Sequence, residues 1–204
     1  MHIYLKQLGI AMGCYETLLT RKTFYTMDSI NANQPEDNIE NLEGNEAWKK
    51  LKQLAEKADT CFFCSNIKTG LPFSTRPMSP QKIDDNGDMW FLSANDSHKN
   101  EEIAADPFVQ LLFQGSSYSG FLNVYGIAEI SEDKSKIDEL WDPVLKVWFT
   151  EGKSDPRISI IKVTPTQGHY WDNKHGNAIA FVKQIAGAIM GTTIDDSIEG
   201  DLKA

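Results

Sequence analysis

Arg76 and Lys99 are the side chains in this chain best suited to holding an anion. Arg76 stands in Phe73-Ser-Thr-Arg-Pro-Met-Ser79, and Lys99 ends Trp90-Phe-Leu-Ser-Ala-Asn-Asp-Ser-His-Lys99. A guanidinium grips a phosphate with two parallel N–H donors. On a strand, Ser74, Arg76 and Met78 share one face, and Thr75 and Pro77 the other. Pro77 removes a ladder donor and frees backbone groups nearby. The same segment fits equally well an exposed edge strand guarded by a charge and a proline. Lys99 falls in the first turn of a helix expected after Ser97. A cation there opposes the positive helix end, at a cost of about a few tenths of a kcal/mol. That helix start also offers free N–H groups to an anion. A phosphate at the site reconciles the two facts; a solvated lysine with a small tolerated penalty is the plainer alternative.

Other chemistry is poorly supported. Cys61 and Cys64 form a C-x-x-C, but on a strand these positions face opposite sides, and no second ligand pair accompanies them. Both are read as buried core cysteines. His2, His98, His169 and His175 show no metal-ligand spacing, and neither a phosphate-binding G-x-x-x-x-G-K-[ST] nor a G-x-G-x-x-G is present. Trp141 and Trp148 lie on an apolar helical stripe and are read as core. Trp171 ends a strand beside Asp172 and is a candidate for the edge of a pocket, with packing as the alternative.

The elements that must position these residues follow from periodicity. Trp48, Leu51, Leu54, Ala55 and Ala58 give a helix from Glu46 to Ala58, with Asn45 as its cap. Strands are expected at 60–66, 71–79, 89–94, 109–113, 121–130, 158–163 and 168–172. Asn86-Gly87 makes a hairpin before Met89. A short helix capped by Ser97 or Asp96 ends at Asp106-Pro107. Ile137 to Trp148 reads as two successive helices, Asp142 capping the second with Pro143 in its first position. A last helix runs from Ile179 to Ile189, closed by Gly191, before an acidic tail expected to fray. Strands joined by tight turns point to an antiparallel barrel or sandwich.

The 204 residues allow one domain with extensions. A net charge of −9 argues against nucleic acid or an anionic membrane surface as partner. No run of eighteen apolar residues exists, so no membrane span is expected. The start lacks a secretory pattern, and three cysteines make no disulfide framework, so a cytoplasmic location is expected. Residues 1–44 are read as an N-terminal extension and polar linker. Met27 is a candidate start, and an N-terminal arm is the alternative.

Ser74-Thr-Arg-Pro-Met78, the hairpin, Trp90-Phe-Leu-Ser93 and Ser97-His-Lys99, in this order, resemble the pyridoxamine-phosphate-oxidase-like flavin-binding split barrels. The block Leu140-Trp-Asp-Pro-Val-Leu-Lys-Val-Trp-Phe149, with Gly152-Lys-Ser-Asp-Pro156 and Tyr170-Trp-Asp172, is similar to the general stress protein 26 branch. The resemblance implies a mainly β fold with flanking helices, a six-stranded antiparallel split β-barrel over residues 45–190, and an acidic tail over 191–204. It implies a homodimer with FMN at the subunit interface. Carried over by position, Ser74, Thr75, Arg76, Pro77 and Met78 would line the flavin. Leu92 and Ser93 would contact it from the next strand, Ser97 and Lys99 would clamp its phosphate, and Trp171 would edge the pocket. The oxidase proper has a lysine where Gln81 stands and an arginine where His98 stands. Its arginine–histidine pair after the tryptophan is missing from Asp172-Asn-Lys-His-Gly176. The implied function is a flavin-dependent oxidoreductase of a small molecule. A non-enzymatic flavin reservoir or redox sensor is the alternative, and a true pyridoxamine 5'-phosphate oxidase comes third. No residue is assigned as catalytic.

Overall fold

The computed structural model describes residues 38–117, 119–176, 180, 183 and 196–203. The readings on Met27, on the N-terminal arm and on the helix from Ile179 to Gly191 therefore concern segments largely outside the described residues.

Strand β1 (Leu42–Glu43) runs straight into helix α1 (Gly44–Ala58). Glu43, with no side-chain bond, is the residue before the helix, so Asn45 is not its cap. The apolar stripe of α1 buries Trp48, Leu51, Leu54 and Ala55, as helical spacing requires. Strands β2 (Cys61–Ser65), β3 (Ser74–Met78), β4 (Lys82–Ile83) and β5 (Met89–Ala94) follow. Gly87, at φ +85°, turns the β4–β5 hairpin, where Asp84 N–H donates to the Asp88 carbonyl at 2.9 Å. Then come α2 (His98–Ala105), β6 (Phe108–Gln114), β7 (Phe121–Ser131) and α3 (Lys134–Leu140). Two 3-10 turns, Pro143–Val147 and Gly152–Ser154, lead to β8 (Ile158–Asn173), and β9 (Ser197–Lys203) ends the described chain.

Along the sheet the order is β1-β9-β8-β7-β6-β2-β3, and β5 joins β8 beside it. β8 is the spine. Residues 158–163 pair with β5, residues 167–173 pair with β9, and β7 follows its other edge. Two strands were expected here, at 158–163 and 168–172. The chain changes partner at Pro165 without changing direction. A register shift between Tyr125 and Gly126 lies opposite that proline, which is tolerated at such an irregularity. A Cβ on Gly126 would lie 2.7 Å from Val163 Cγ1, so close approach demands glycine there.

The mainly β fold agrees with expectation, and only the detail of six antiparallel strands is loose: among the described residues the sheet is mixed, has nine strands and is not closed. β1 and β9 pair in parallel. Both come from segments read as linker and tail. β1 and β4 are too short to show a period. In β9, Ile198, Gly200 and Leu202 alternate with Glu199, Asp201 and Lys203, and the acidic composition hid that alternation. Within the tail, Ser197–Lys203 is thus a paired strand.

Two clusters form the interior. The larger joins α1 to the inner faces of β2, β5, β6, β7 and β8, with Phe63 and Phe91 in edge-to-face contact at 5.5 Å. The smaller packs Ile137, Leu140, Leu145 and Phe149 against Ile158 and Ile160. β5 divides them by period two: Met89 and Phe91 enter the first, Trp90 and Leu92 border the second. Cys61 and Phe63 belong to the larger cluster, and Cys64 is buried outside it near Thr75. Both cysteines are free, and burial pushes the Cys61 thiol up to about 12, so it is inert at neutral pH.

Candidate functional site

A cleft of about 590 Å³ opens where five pieces of chain meet, the first of them Thr60 between α1 and β2. The end of β3 and the turn after it supply Pro77, Met78, Ser79 and Gln81. The end of β5 supplies Leu92, Ser93 and Ala94. The start of α2 supplies Ser97 and Lys99, and the chain after α3 supplies Leu145, Trp148 and Phe149.

A buried polar network fixes α2 against the sheet. Asn100, 5% exposed, accepts from Ser93 Oγ at 2.8 Å and donates to Ser159 Oγ at 2.8 Å. Ser159 Oγ donates on to the Ser93 carbonyl at 3.0 Å. Ser97 caps α2 by accepting from the Asn100 N–H, and its hydroxyl also reaches Asn100 Oδ1 at 3.2 Å. Each buried polar atom in this set is matched, so the helix start has one position relative to β5 and β8.

Lys99 is half-buried in the first turn of α2. Burial pushes its ammonium down to about 8, and repulsion from Arg76 adds to this, while Glu102 acts in the opposite sense. No ion pair holds Lys99 among the described residues. A desolvated cation at a helix start, without a counter-ion, is a place for an anion.

Arg76 stands on β3 next to the cleft but outside its lining. β3 is the last strand of the sheet path, so its proline and arginine do stand on an edge strand. Ser74, Arg76 and Met78 share its half-buried face, as alternation predicts. Met78 reaches the cleft, whereas Arg76 donates to Glu102 Oε2 and to Ser65 Oγ, each at 2.8 Å. Ser74 donates to Glu102 Oε1 at 2.7 Å. Neither residue lines the cleft, and nor does the exposed Thr75. Trp171 lies at the far end of β8 from Ser159, 42% exposed and against the His169 ring at 4.4 Å. The structure thus gathers Pro77, Met78, Gln81, Leu92, Ser93, Ser97 and Lys99 around one cavity and leaves Ser74, Thr75, Arg76 and Trp171 outside it.

Trp148 is a cleft residue that sequence reasoning assigned to the core. It is 62% exposed. The expected α-helical stripe ends because Pro143–Val147 is a 3-10 turn, capped by Asp142 Oδ1 accepting from the Val144 N–H. Leu145 and Phe149 stay buried and Trp148, the residue that closes the turn, is left at the surface. Its carbonyl accepts from Arg157 Nη2 at 3.3 Å, and Arg157 is itself held by the buried Asp155 through two side-chain bonds of 2.7 and 3.0 Å. The backbone of this indole is anchored while its ring borders the cavity. The break at Asp142-Pro143 is legible in the sequence; the 3-10 form of the second piece, which leaves Trp148 exposed, is not.

The chain is similar to known proteins in sequence and in fold. The model of the family described as pyridoxamine 5'-phosphate oxidase like matches residues 46–195. A protein assigned as general stress protein 26 from Jannaschia sp. CCS1 has the same fold, with TM-score 0.62 and 24% identity over 78% of this chain and 96% of that one. A Clostridium acetobutylicum protein related to general stress protein 26 of B. subtilis gives TM-score 0.54 and 19% identity, covering 63% of this chain and 89% of that one. Protein bli-3 of Neurospora crassa is 29% identical over 91 residues, 41% of this chain, and the match spans only 44% of that protein's length. With the family model covering most of its length, the chain belongs to the pyridoxamine 5'-phosphate oxidase-like family.

Proposed function

We propose that the cleft binds FMN, with the phosphate at Ser97 and Lys99 and the ring against the apolar wall. The observation that carries this is Lys99: a desolvated cation without a counter-ion, at a helix start, inside a cavity otherwise walled by Pro77, Met78, Leu92, Leu145, Trp148 and Phe149. A ligand suited to both ends has a phosphate and a planar apolar body. Ser79, Gln81 and Thr60 add polar groups between them for a hydroxylated linker. The residues present therefore fit FMN.

Bound flavin would supply hydride or electron transfer. The chain's own residues bind the phosphate, hold the ring and exclude water from one side of it. The reading as an oxidoreductase of a small molecule rests on that supply, and the cytoplasm is the location proposed for it. One observation favours a second reading, a flavin reservoir or redox sensor: the lining holds no Asp, Glu or His, so Lys99 is its one ionisable side chain among the described residues.

The active unit in this proposal is a homodimer. The cleft shares Thr60 and Pro77 with a groove of about 270 Å³ lined by Phe62, Leu112 and Phe121. Phe62 is 56% and Leu112 38% exposed, and they are direct neighbours across β2 and β6. An apolar strip running out of a ligand cleft suits a second copy that covers both.

Flavin fluorescence on titration with FMN tests the reading, with sedimentation on the same sample. Binding at micromolar FMN or tighter, by a dimer, is expected. Trp148→Ala should weaken it about tenfold through lost ring contact. Absence of binding at micromolar FMN sinks the proposal, and a flavin-loaded monomer sinks its interface. Turnover with NADH or NADPH separates the oxidoreductase from the reservoir.

A further inference from the structure

Trp148 is the larger of the two aromatic side chains at the cleft, yet at 62% exposed it has little of the interior to hold it. Its backbone is what is fixed. The Trp148 N–H donates to the Leu145 carbonyl at 3.0 Å, and the Trp148 carbonyl accepts from Arg157 Nη2 at 3.3 Å. A carbonyl at the end of a helical turn has no partner within that turn, and here a guanidinium supplies one from outside. Arg157 is itself held from two sides. Its side chain forks onto Asp155, Nε to Oδ1 at 3.0 Å and Nη2 to Oδ2 at 2.7 Å, and its own N–H donates to Oδ1 at 3.0 Å. The Asp155 side chain is 2% exposed, and its bonds from Arg157 hold its carboxyl below the usual carboxylate range, so the pair is ionised at neutral pH. The Arg157 carbonyl accepts from the Asn95 N–H at 2.7 Å. Asn95 lies between Ala94 and Ser97, which both line the cavity, whereas Arg157 does not line it.

We propose that Arg157 is a positioning residue for the ring end of the cleft: locked on Asp155, its fork holds the turn that carries Trp148, so that the indole stands in place before a ligand arrives. A wall formed in advance spares the ligand the cost of ordering it. The nature of the ligand rests on the flavin reading above; the holding of the indole does not.

The test places Arg157→Ala in two backgrounds, the unaltered chain and Trp148→Ala. The probes are FMN, riboflavin (the same ring without the phosphate) and inorganic phosphate, the last followed by NMR at the Lys99 ε-carbon. In the unaltered chain Arg157→Ala is expected to weaken FMN and riboflavin alike by about fivefold, the cost of ordering one large side chain on binding. Inorganic phosphate should bind as before. In the Trp148→Ala background the same change should have no further effect on riboflavin. An equal loss in both backgrounds, no loss in the first, or a parallel loss of inorganic phosphate overturns the proposal, because general damage to the cleft does not need the indole. Arg157→Lys keeps the charge beside Asp155 but not the fork that serves Asp155 and Trp148 together, and is expected to lose as much. Full ring affinity in that variant also overturns the proposal, and it decides alone if Arg157→Ala does not fold. The Trp148 indole N–H resonance, assigned by its loss in Trp148→Ala, gives a readout without flavin: it should shift and broaden in Arg157→Ala. If the unaltered protein binds no flavin and this resonance still responds, the flavin reading falls and the positioning role stands. If flavin binds and neither the resonance nor the affinity responds, the positioning role falls and the flavin reading stands.

Discussion

Replacing Lys99 by alanine weakens FMN binding by about a hundredfold and leaves riboflavin binding unchanged, because one charge-assisted contact to a phosphate is worth about 2–3 kcal/mol in a partly desolvated site. The difference between the two ligands isolates the phosphate contact from any effect on the ring. Equal losses for both would mean that the substitution disturbs the cleft as a whole. The same lysine sets a pH dependence. In the ligand-free protein it titrates near 8, lowered by burial and by Arg76. A bound phosphate favours the charged form, so binding above that pH must take up a proton. FMN affinity is accordingly flat below pH 8 on the lysine's account and falls as pH rises through 8 and beyond, while riboflavin affinity stays level. In Lys99→Ala the fall disappears. Isothermal titration at several pH values measures both ligands.

The second large effect is on stability. Asn100→Ala removes the residue that accepts from Ser93 and Ser97 and donates to Ser159. Ser93 and Ser159 are 3% and 0% exposed, so the hydroxyls left behind have no solvent to turn to. The expected loss is about 2–4 kcal/mol, from the broken bonds and the unsatisfied groups together. Urea denaturation reads this as a lower midpoint with an unchanged slope. FMN affinity should fall as well, since the network sets where Ser97 and Lys99 stand relative to β5. A loss under about 1 kcal/mol would show that α2 is held mainly by its apolar contacts.

Local pattern carried part of this account. The helical stripe of Trp48 to Ala58, the Asn86-Gly87 hairpin, the Ser97 cap and the Asp142–Pro143 start each depend on residues a few positions apart, and each was legible. Pairing across long separations was not. Leu42 meets Leu202, and the Tyr170 hydroxyl donates to the Glu40 carbonyl at 2.9 Å; neither contact leaves a trace in either segment alone. Trp148 was misplaced for a different reason: an apolar spacing that fits an α-helix fits a 3-10 turn for only a few residues, and then the exposed side chain changes.

The candidate site divides in the same way. Lys99 was legible because a cation at a helix start conflicts with the local dipole, and such a conflict asks for an anion. Arg76 looked equivalent from its own strand. Its partner Glu102 lies on α2, and only the packing of α2 against β2 and β3 brings that carboxylate to the guanidinium. Glu102 itself looked like one more charged residue on a short helix. The pairing of a strand arginine with a helix carboxylate is a three-dimensional fact that neither segment shows alone.

The central claim is that FMN lies in this cleft with its phosphate at the start of α2. A crystal structure of the protein with FMN tests it most directly. The account predicts phosphate oxygens within hydrogen-bond distance of Lys99 Nζ and Ser97 Oγ, and the ring beside Trp148 and Met78. A flavin whose phosphate lies away from Lys99, or one bound outside the cleft, would contradict it.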